Sequence, residues 1–246
     1  MRIALLGYGR MGKEIEAIAI DRGHDIVVRC SSEQPLHEST EDFDVAIDFS
    51  LPHTVFAHTA LCLDRGVPLV IGTTGWQDKR DVLEELVIKS GGSVIVGSNF
   101  SLGMHMFRDV VTTLARCVNR AEDYDIALEE IHHRMKLDAP GGTALTLAER
   151  IIDEVQRKKE IQRDASGGHS ANALSISSLR VGHVSGTHSV IADSLDDTIE
   201  VTHRAKNRQG FARGAVRAAE WICSHHGWYD IADVFDEVVR STPMPS

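Results

Sequence analysis

Residues 130–144, EIHHRMKLDAPGGTA, bring together the side chains best suited to proton transfer and anion binding. His132, His133 and Lys136 precede a Gly141-Gly142-Thr143 run that can open a helix. An imidazole titrates near neutrality and can give or take a proton at working pH. Arg134 and Lys136 add positive charge, and the amides of Gly142 and Thr143 would offer unpaired N–H groups at a helix start. This combination suits a dicarboxylate trap with proton donors at its edge. In a regular strand His132 and His133 would face opposite sides, so only a loop conformation turns both toward one ligand. Histidines at strand ends are often satisfied surface groups, and it is the company of the others that favours function here. No metal site is expected, because adjacent histidines chelate one ion poorly and no acid or cysteine falls at ligand spacing.

A second signal precedes it. GYGRMG at 7–12 follows the apolar run RIALL at 2–6 and leads into Met11, Ile15, Ile18 and Ala19 at helical spacing. Between a strand and a helix, Gly7 permits the turn, Gly9 lets backbone meet a pyrophosphate, and Gly12 lets helix and strand pack closely. The following helix start would hold the phosphates. An NAD site usually carries an acid at the end of the second strand. Here that strand ends Arg29-Cys30-Ser31-Ser32, with Glu33 beyond. Arg29, Ser31 and Ser32 suit a 2′-phosphate, Glu33 a ribose, and all four equally suit a solvated loop, so NADH or NADPH stays open.

These residues need a frame. Runs at 25–29, 44–50, 67–72 and 93–97 read as further strands, alternating with helices over about 52–65 and 77–89. Alternation of this kind implies a doubly wound parallel sheet. Its ligand crevice lies beyond the strand ends, at GYGRMG, DFS, GTTGW and GSNFS. From about Leu102 the pattern changes to helix 102–118, strand 124–133, helix 141–157 and a polar loop over 161–174. Strands at 175–183, 186–193 and 197–204 follow, then a helix through FARGAVRAAEWICSHH. The second half reads as an α+β domain with one sheet face open for oligomerisation.

Composition narrows the class. Of 246 residues, 42% are hydrophobic and 25% charged, an ordinary soluble balance. A net charge of -10 argues against nonspecific nucleic-acid binding. No apolar run approaches a bilayer span, and no signal-peptide pattern is present, so a cytoplasmic protein without a membrane partner is expected. Cys30, Cys62, Cys117 and Cys223 are scattered, without a CxxC pair, and are expected as reduced, core or half-buried thiols.

The segment EIHHRMKLDAPGGTA resembles the signature of the dihydrodipicolinate (4-hydroxy-tetrahydrodipicolinate) reductase family, roughly E-x-H-H-x-x-K-x-D-A-P-S-G-T-A. GYGRMG, DFS, GTTGW, SNFSLGM, SLRVGHVSGTH and THRAKNRQGFARGAVRAAEW resemble family blocks in the same order. The resemblance implies a Rossmann-like dinucleotide-binding domain at 1–101 and 212–246, and a substrate-binding, tetramerising domain with a mixed sheet at 102–211. It implies NAD(P)H-dependent reduction of a cyclic imine dicarboxylate in lysine and diaminopimelate biosynthesis by a homotetramer. His132 matches the acid–base histidine and Lys136 a second proton donor; His133, Gly142 and Thr143 match substrate-binding positions. Gly7, Tyr8, Gly9, Arg10, Met11, Gly12, Gly72, Thr73, Thr74, Gly97, Ser98, Asn99 and Phe100 match the cofactor blocks, with Phe100 near the nicotinamide. Gly141 departs from the usual Ser, and the missing acid after the second strand leaves the ribose contact unassigned. A reductase of another imine on a similar frame need not carry HHxxK before DAPxGTA. A nucleotide-sensing regulator would need a DNA-binding element, and none is found.

Overall fold

The computed structural model describes residues 1–31, 40–163 and 170–241. Ser32 and Glu33, two of the candidates at the second strand's end, lie outside the described residues. The chain divides into two compact units, one of residues 1–102 with 208–246 and one of residues 103–207. The second crossing falls just ahead of the helix that begins at Gln209.

The first unit is built on β1 (Arg2–Leu6), β2 (Asp25–Cys30), β3 (Val45–Asp48), β4 (Leu69–Ile71), β5 (Ser93–Val96) and a late strand here labelled β11 (Gly227–Asp230). They form one sheet in the order β11-β5-β4-β3-β1-β2, every pair parallel. Successive strand residues point to opposite faces, and both faces are covered. Ile3, Leu5, Val45 and Ile47 pack on α1 (Arg10–Asp21), α6 (Gln209–Ile222) and α7 (Ile231–Ser241). Ala4, Leu6, Ala46, Leu69 and Ile71 pack on α2 (Val55–Asp64) and α3 (Arg80–Lys89). Both of these last helices start with a 3₁₀ turn, at Pro52–Thr54 and Gln77–Lys79. The chain leaves β1 toward β2 on one side and returns to β3 on the other, which opens the ligand crevice between the ends of β1 and β3.

Close backbone packing fixes α6. A Cβ on Gly214 would lie 1.7 Å from the Phe100 carbonyl oxygen, which no rotamer change relieves. Gly214→Ala is therefore expected to destabilise the protein by about 1–3 kcal/mol, toward the upper end, as overpacking against rigid backbone does. Urea unfolding measures it, and an unchanged midpoint would refute it.

The second unit holds a mixed five-stranded sheet in the order β10-β9-β6-β8-β7. Its strands are β6 (Asp125–His132), β7 (Glu160–Gln162), β8 (Ala173–Arg180), β9 (Thr187–Asp193) and β10 (Thr198–Arg204). One face, with Ile126, Leu128, Ile176 and Val190, is sealed by α4 (Leu102–Arg120) and α5 (Gly142–Glu154). The other carries Ile131, Leu179 and Ile191, of which Leu179 is 49% exposed. Two expectations need correction. The polar segment 161–174 is not all loop: Glu160–Gln162 pairs parallel with Ala173–Ser175. Residues 164–169 of it lie outside the described residues. All four cysteines are free, but Cys117 and Cys223 are exposed rather than half-buried, since each falls on the outer side of its helix end. Among the described residues no helix is long and apolar enough to cross a membrane.

Candidate active site

The dinucleotide signals converge in the first unit. Gly7 has φ +99°, and a Cβ there would lie 2.3 Å from the Phe49 carbonyl. A Cβ on Gly12 would lie 2.4 Å from the Gly7 carbonyl, so α1 can approach β1 only through glycine. The amides of Gly7 and Tyr8 both donate to the Cys30 carbonyl, at 3.2 and 3.0 Å, which ties the loop to the end of β2. Gly9 is the N-cap of α1, with no side-chain cap and no acid in the first turn. Gly9 and Arg10 are exposed, whereas Tyr8 and Met11 are half-buried. The helix start thus keeps its amides and partial positive charge for a phosphate.

The neighbouring loops are braced by Asp48, which is wholly buried. Its Oδ1 accepts from the Thr73 hydroxyl (2.7 Å) and the Ser50 amide (2.9 Å), and its Oδ2 lies 2.7 Å from His58 Nδ1. Thr73 therefore spends its hydroxyl internally, while Thr74 is exposed. A Cβ on Gly72 would strike the Phe49 ring at 2.1 Å, and that ring packs on Phe100 with centroids 5.6 Å apart. Gly97 and Asn99 are half-buried and Ser98 exposed; Asn99 Oδ1 accepts from the Ser101 amide at 2.9 Å. Phe100 is 1% exposed, and its ring belongs to the core of the first unit.

The proton-transfer signals meet in the second unit. Strand β6 ends at His132, and His133 begins the turn that follows, its carbonyl accepting from the Lys136 amide at 3.0 Å. His132 lies on the same strand face as Glu130, two residues before it. Glu130 is wholly buried. Its Oε1 accepts from Arg180 Nη2 at 2.6 Å and from the Gly141 amide at 3.0 Å. Its Oε2 lies 3.3 Å from His132 Nδ1 and 3.8 Å from His188 Nε2. Pairing register explains the meeting: Arg180 stands opposite His132, and His188 opposite Glu130.

An acid does therefore stand at ligand distance from the histidines, contrary to expectation, because strand alternation rather than sequence spacing sets the approach. Glu130, His132 and His188 offer donor atoms within 4.8 Å of one another. The guanidinium already bound to that carboxylate, with Lys136 beside it, opposes added divalent charge.

The charges follow from these contacts. Burial works to raise the Glu130 pKa, but Arg180 and the Gly141 amide prevail and hold it below the usual carboxylate range. Burial lowers the His132 pKa, Glu130 pulls it back up, and Lys136, Arg180 and His133 push it down. Burial, with the His132 charge, lowers His188 to about 4, so it is neutral at physiological pH. Lys136 Nζ is held by both oxygens of Asp138, at 2.7 and 2.8 Å. A Cβ on Gly141 would lie 2.8 Å from Lys136 Cε and 3.0 Å from Glu130 Oε2, so the glycine gives the lysine its place. Gly141 caps α5 without a side-chain hydrogen bond, which leaves the first-turn amides of exposed Gly142 and half-buried Thr143 for an anion.

Family models match both parts of the chain: the dihydrodipicolinate reductase N-terminus over residues 1–100 and the C-terminus over residues 103–235. The chain belongs to the dihydrodipicolinate reductase family. A 4-hydroxy-tetrahydrodipicolinate reductase of Christiangramia forsetii is 41% identical over 98% of this chain and 100% of its own length. The Chromobacterium violaceum protein of that name is 34% identical over 92% of this chain and 94% of its own. A solved structure of a dipicolinate-bound dihydrodipicolinate reductase from Paenisporosarcina sp. TG-14 shares the fold at a TM-score of 0.74 and 24% identity, over 95% of this chain and 98% of that one.

Within this family member, sequence reasoning placed His132, His133, Lys136, Gly142 and Thr143 in one segment, and the structure keeps them around the β6–α5 connection. It missed Glu130, Arg180 and His188. Glu130 was visible as the acid two residues before His132; Arg180 and His188 come from other strands, within the SLRVGHVSGTH block, which gave neither a role.

Proposed function

We propose that the chain reduces 4-hydroxy-tetrahydrodipicolinate to tetrahydrodipicolinate with NADH or NADPH, in lysine and diaminopimelate biosynthesis, the 4-hydroxyl leaving as water to give the conjugated cyclic imine that takes up the hydride and a proton. The observation that carries this reading is His132 beside Glu130 at the mouth of an uncapped helix start, in a chain whose first unit has a glycine cradle fit for a pyrophosphate. Gly7, Tyr8, Gly9, Arg10, Met11 and Gly12, with the backbone of Gly72–Thr74 and Gly97–Phe100, would hold the dinucleotide. When bound it supplies a hydride. His132 gives its proton to the ring that has gained negative charge, and Lys136 serves as the second donor. His133, Lys136 and the amides of Gly142 and Thr143 bind the two carboxylates and hold the ring in one orientation.

Arg29 is engaged by Glu16, through Nε at 2.8 Å, and Glu16 also takes the Tyr8 hydroxyl. An arginine so neutralised gives a 2′-phosphate little extra attraction, and we expect NADH to be used at least as well as NADPH. The ratio of kcat/KM for the two cofactors checks this, and a strong NADPH preference would contradict it. We further read the chain as a cytoplasmic homotetramer assembled through the uncovered face of the second sheet, for which light scattering is the test.

The function itself is tested with purified protein, reduced cofactor and substrate freshly made by the preceding synthase. Loss of nicotinamide absorbance that depends on substrate and is inhibited by a planar pyridine-2,6-dicarboxylate is the expected result. Absence of turnover with either cofactor would overturn the reading.

A further inference from the structure

Glu130 is wholly buried, and one of its oxygens binds two elements at once. Arg180 of β8 and the Gly141 amide ahead of α5 both occupy Oε1, at 2.6 and 3.0 Å. Oε2 is left with no aligned hydrogen bond and faces His132 Nδ1 at 3.3 Å, a buried nitrogen that also lacks another partner. His188 closes the far side, its ring edge-on to His132 with centroids 5.2 Å apart. A wholly buried carboxylate, fixed on one oxygen and turned to an imidazole with the other, is the arrangement that orients a catalytic histidine and stabilises its charged form.

We propose that Glu130 is the positioning residue of the acid–base histidine: its Oε2 accepts the proton on His132 Nδ1, sets the tautomer that leaves Nε2 for proton exchange, and stabilises the imidazolium. The inference rests on the reading of His132 as the proton donor. Arg180 and Gly141 fix the carboxylate; neutral His188 fills the remaining side without competing for charge. The same carboxylate thereby joins the histidine to the start of α5, so that proton donor and carboxylate-binding amides keep one register.

The groups facing His132 give the sign of the pH effect. Burial opposes the imidazolium, Glu130 on its own strand favours it, and Lys136 and His133 in the loop and Arg180 on β8 oppose it, Lys136 being partly offset by Asp138; His188 on β9 faces it as a neutral ring. Activity that needs protonated His132 declines as pH rises through its pKa. Without the Glu130 charge that pKa is lower, so the alkaline decline moves to lower pH.

The test compares Glu130→Gln, Glu130→Asp and His132→Ala as purified full-length enzymes. Glu130→Gln is expected to lower kcat by about 10²-fold or more, in the manner of other carboxylate-to-amide changes behind a catalytic histidine. Its alkaline limb should move down in pH while KM for the reduced cofactor is unchanged, and Glu130→Asp, which keeps the charge, should restore the limb. Because Gln beside Arg180 can impair folding, the wild-type ring is read independently by ¹⁵N-detected NMR, assigned by the signal lost in His132→Ala. The Nδ1–H tautomer is expected. The Nε2–H tautomer, or a Glu130→Gln enzyme with an unshifted limb, would overturn the positioning role even when His132→Ala is inactive. Near-normal turnover in His132→Ala would instead overturn the underlying reading of the proton donor.

Discussion

Replacing His132 by Ala is expected to lower turnover by about 10²–10⁴-fold, the usual cost of removing a general acid. Hydride delivery leaves negative charge on the substrate ring, and with no positioned acid the charge must be met by water. The buried surroundings of His132 sharpen the effect, because Glu130, Arg180 and His188 cannot take its place: the carboxylate is ionised, the guanidinium does not release protons, and His188 is neutral. Lys136→Ala should also reduce turnover severely, with a larger rise in the substrate KM, since Lys136 combines proton donation with carboxylate binding. Neither residue belongs to the unit that carries GYGRMG, so affinity for reduced cofactor should stay near that of the parent. Steady-state kinetics with calorimetric cofactor titration separate these effects. Near-normal kcat in both variants would remove the segment 130–144 from catalysis.

Gly9→Val is the complementary experiment on the other unit. Gly9 is exposed, its φ of -85° is open to any residue, and a Cβ there meets no protein atom within 4 Å. The variant should therefore fold with nearly unchanged stability. The isopropyl group would nonetheless stand where pyrophosphate must meet backbone at the start of α1. Binding of NADH and NADPH should fall below calorimetric detection while circular dichroism stays unchanged. Gly7→Ala would not be informative in the same way, because a Cβ there strikes the Phe49 backbone and the loop itself would shift. A folded Gly9→Val protein with parental cofactor affinity would exclude the glycine loop as the pyrophosphate site.

The parallel sheet was legible because its buried strands are continuous apolar runs and each ends in small or hydroxyl residues. The Gly–Tyr–Gly turn was equally legible, since only glycine tolerates the φ of Gly7 and the approach of Gly12. Two short strands escaped. Glu160–Gln162 is polar and gains its place only by pairing with β8, and Gly227–Asp230 has no apolar alternation and is held by β5. At the site, local motifs showed the groups joined by the chain, His132 to Thr143. For the groups brought by register, Arg180 and His188, the place beside His132 was not legible, because a strand slip of one residue would send each to the opposite face. The same cause misled the reasoning about ligand spacing: Glu130 comes beside His132 through the two-residue period of a strand, not through a metal-binding spacing. For Phe100 the motif gave no sign that its ring packs against Phe49 and is buried.

The most direct measurement follows the transferred hydrogen itself. The enzyme is given 4-hydroxy-tetrahydrodipicolinate made in place and nicotinamide cofactor deuterated at the transferable C4 position, and the product is examined by mass spectrometry. Tetrahydrodipicolinate carrying the deuterium, formed in step with cofactor oxidation and lost in His132→Ala, is the expected result. Cofactor oxidation without labelled product, or labelled product formed equally well by His132→Ala, would contradict hydride transfer to this imine with His132 as its proton donor.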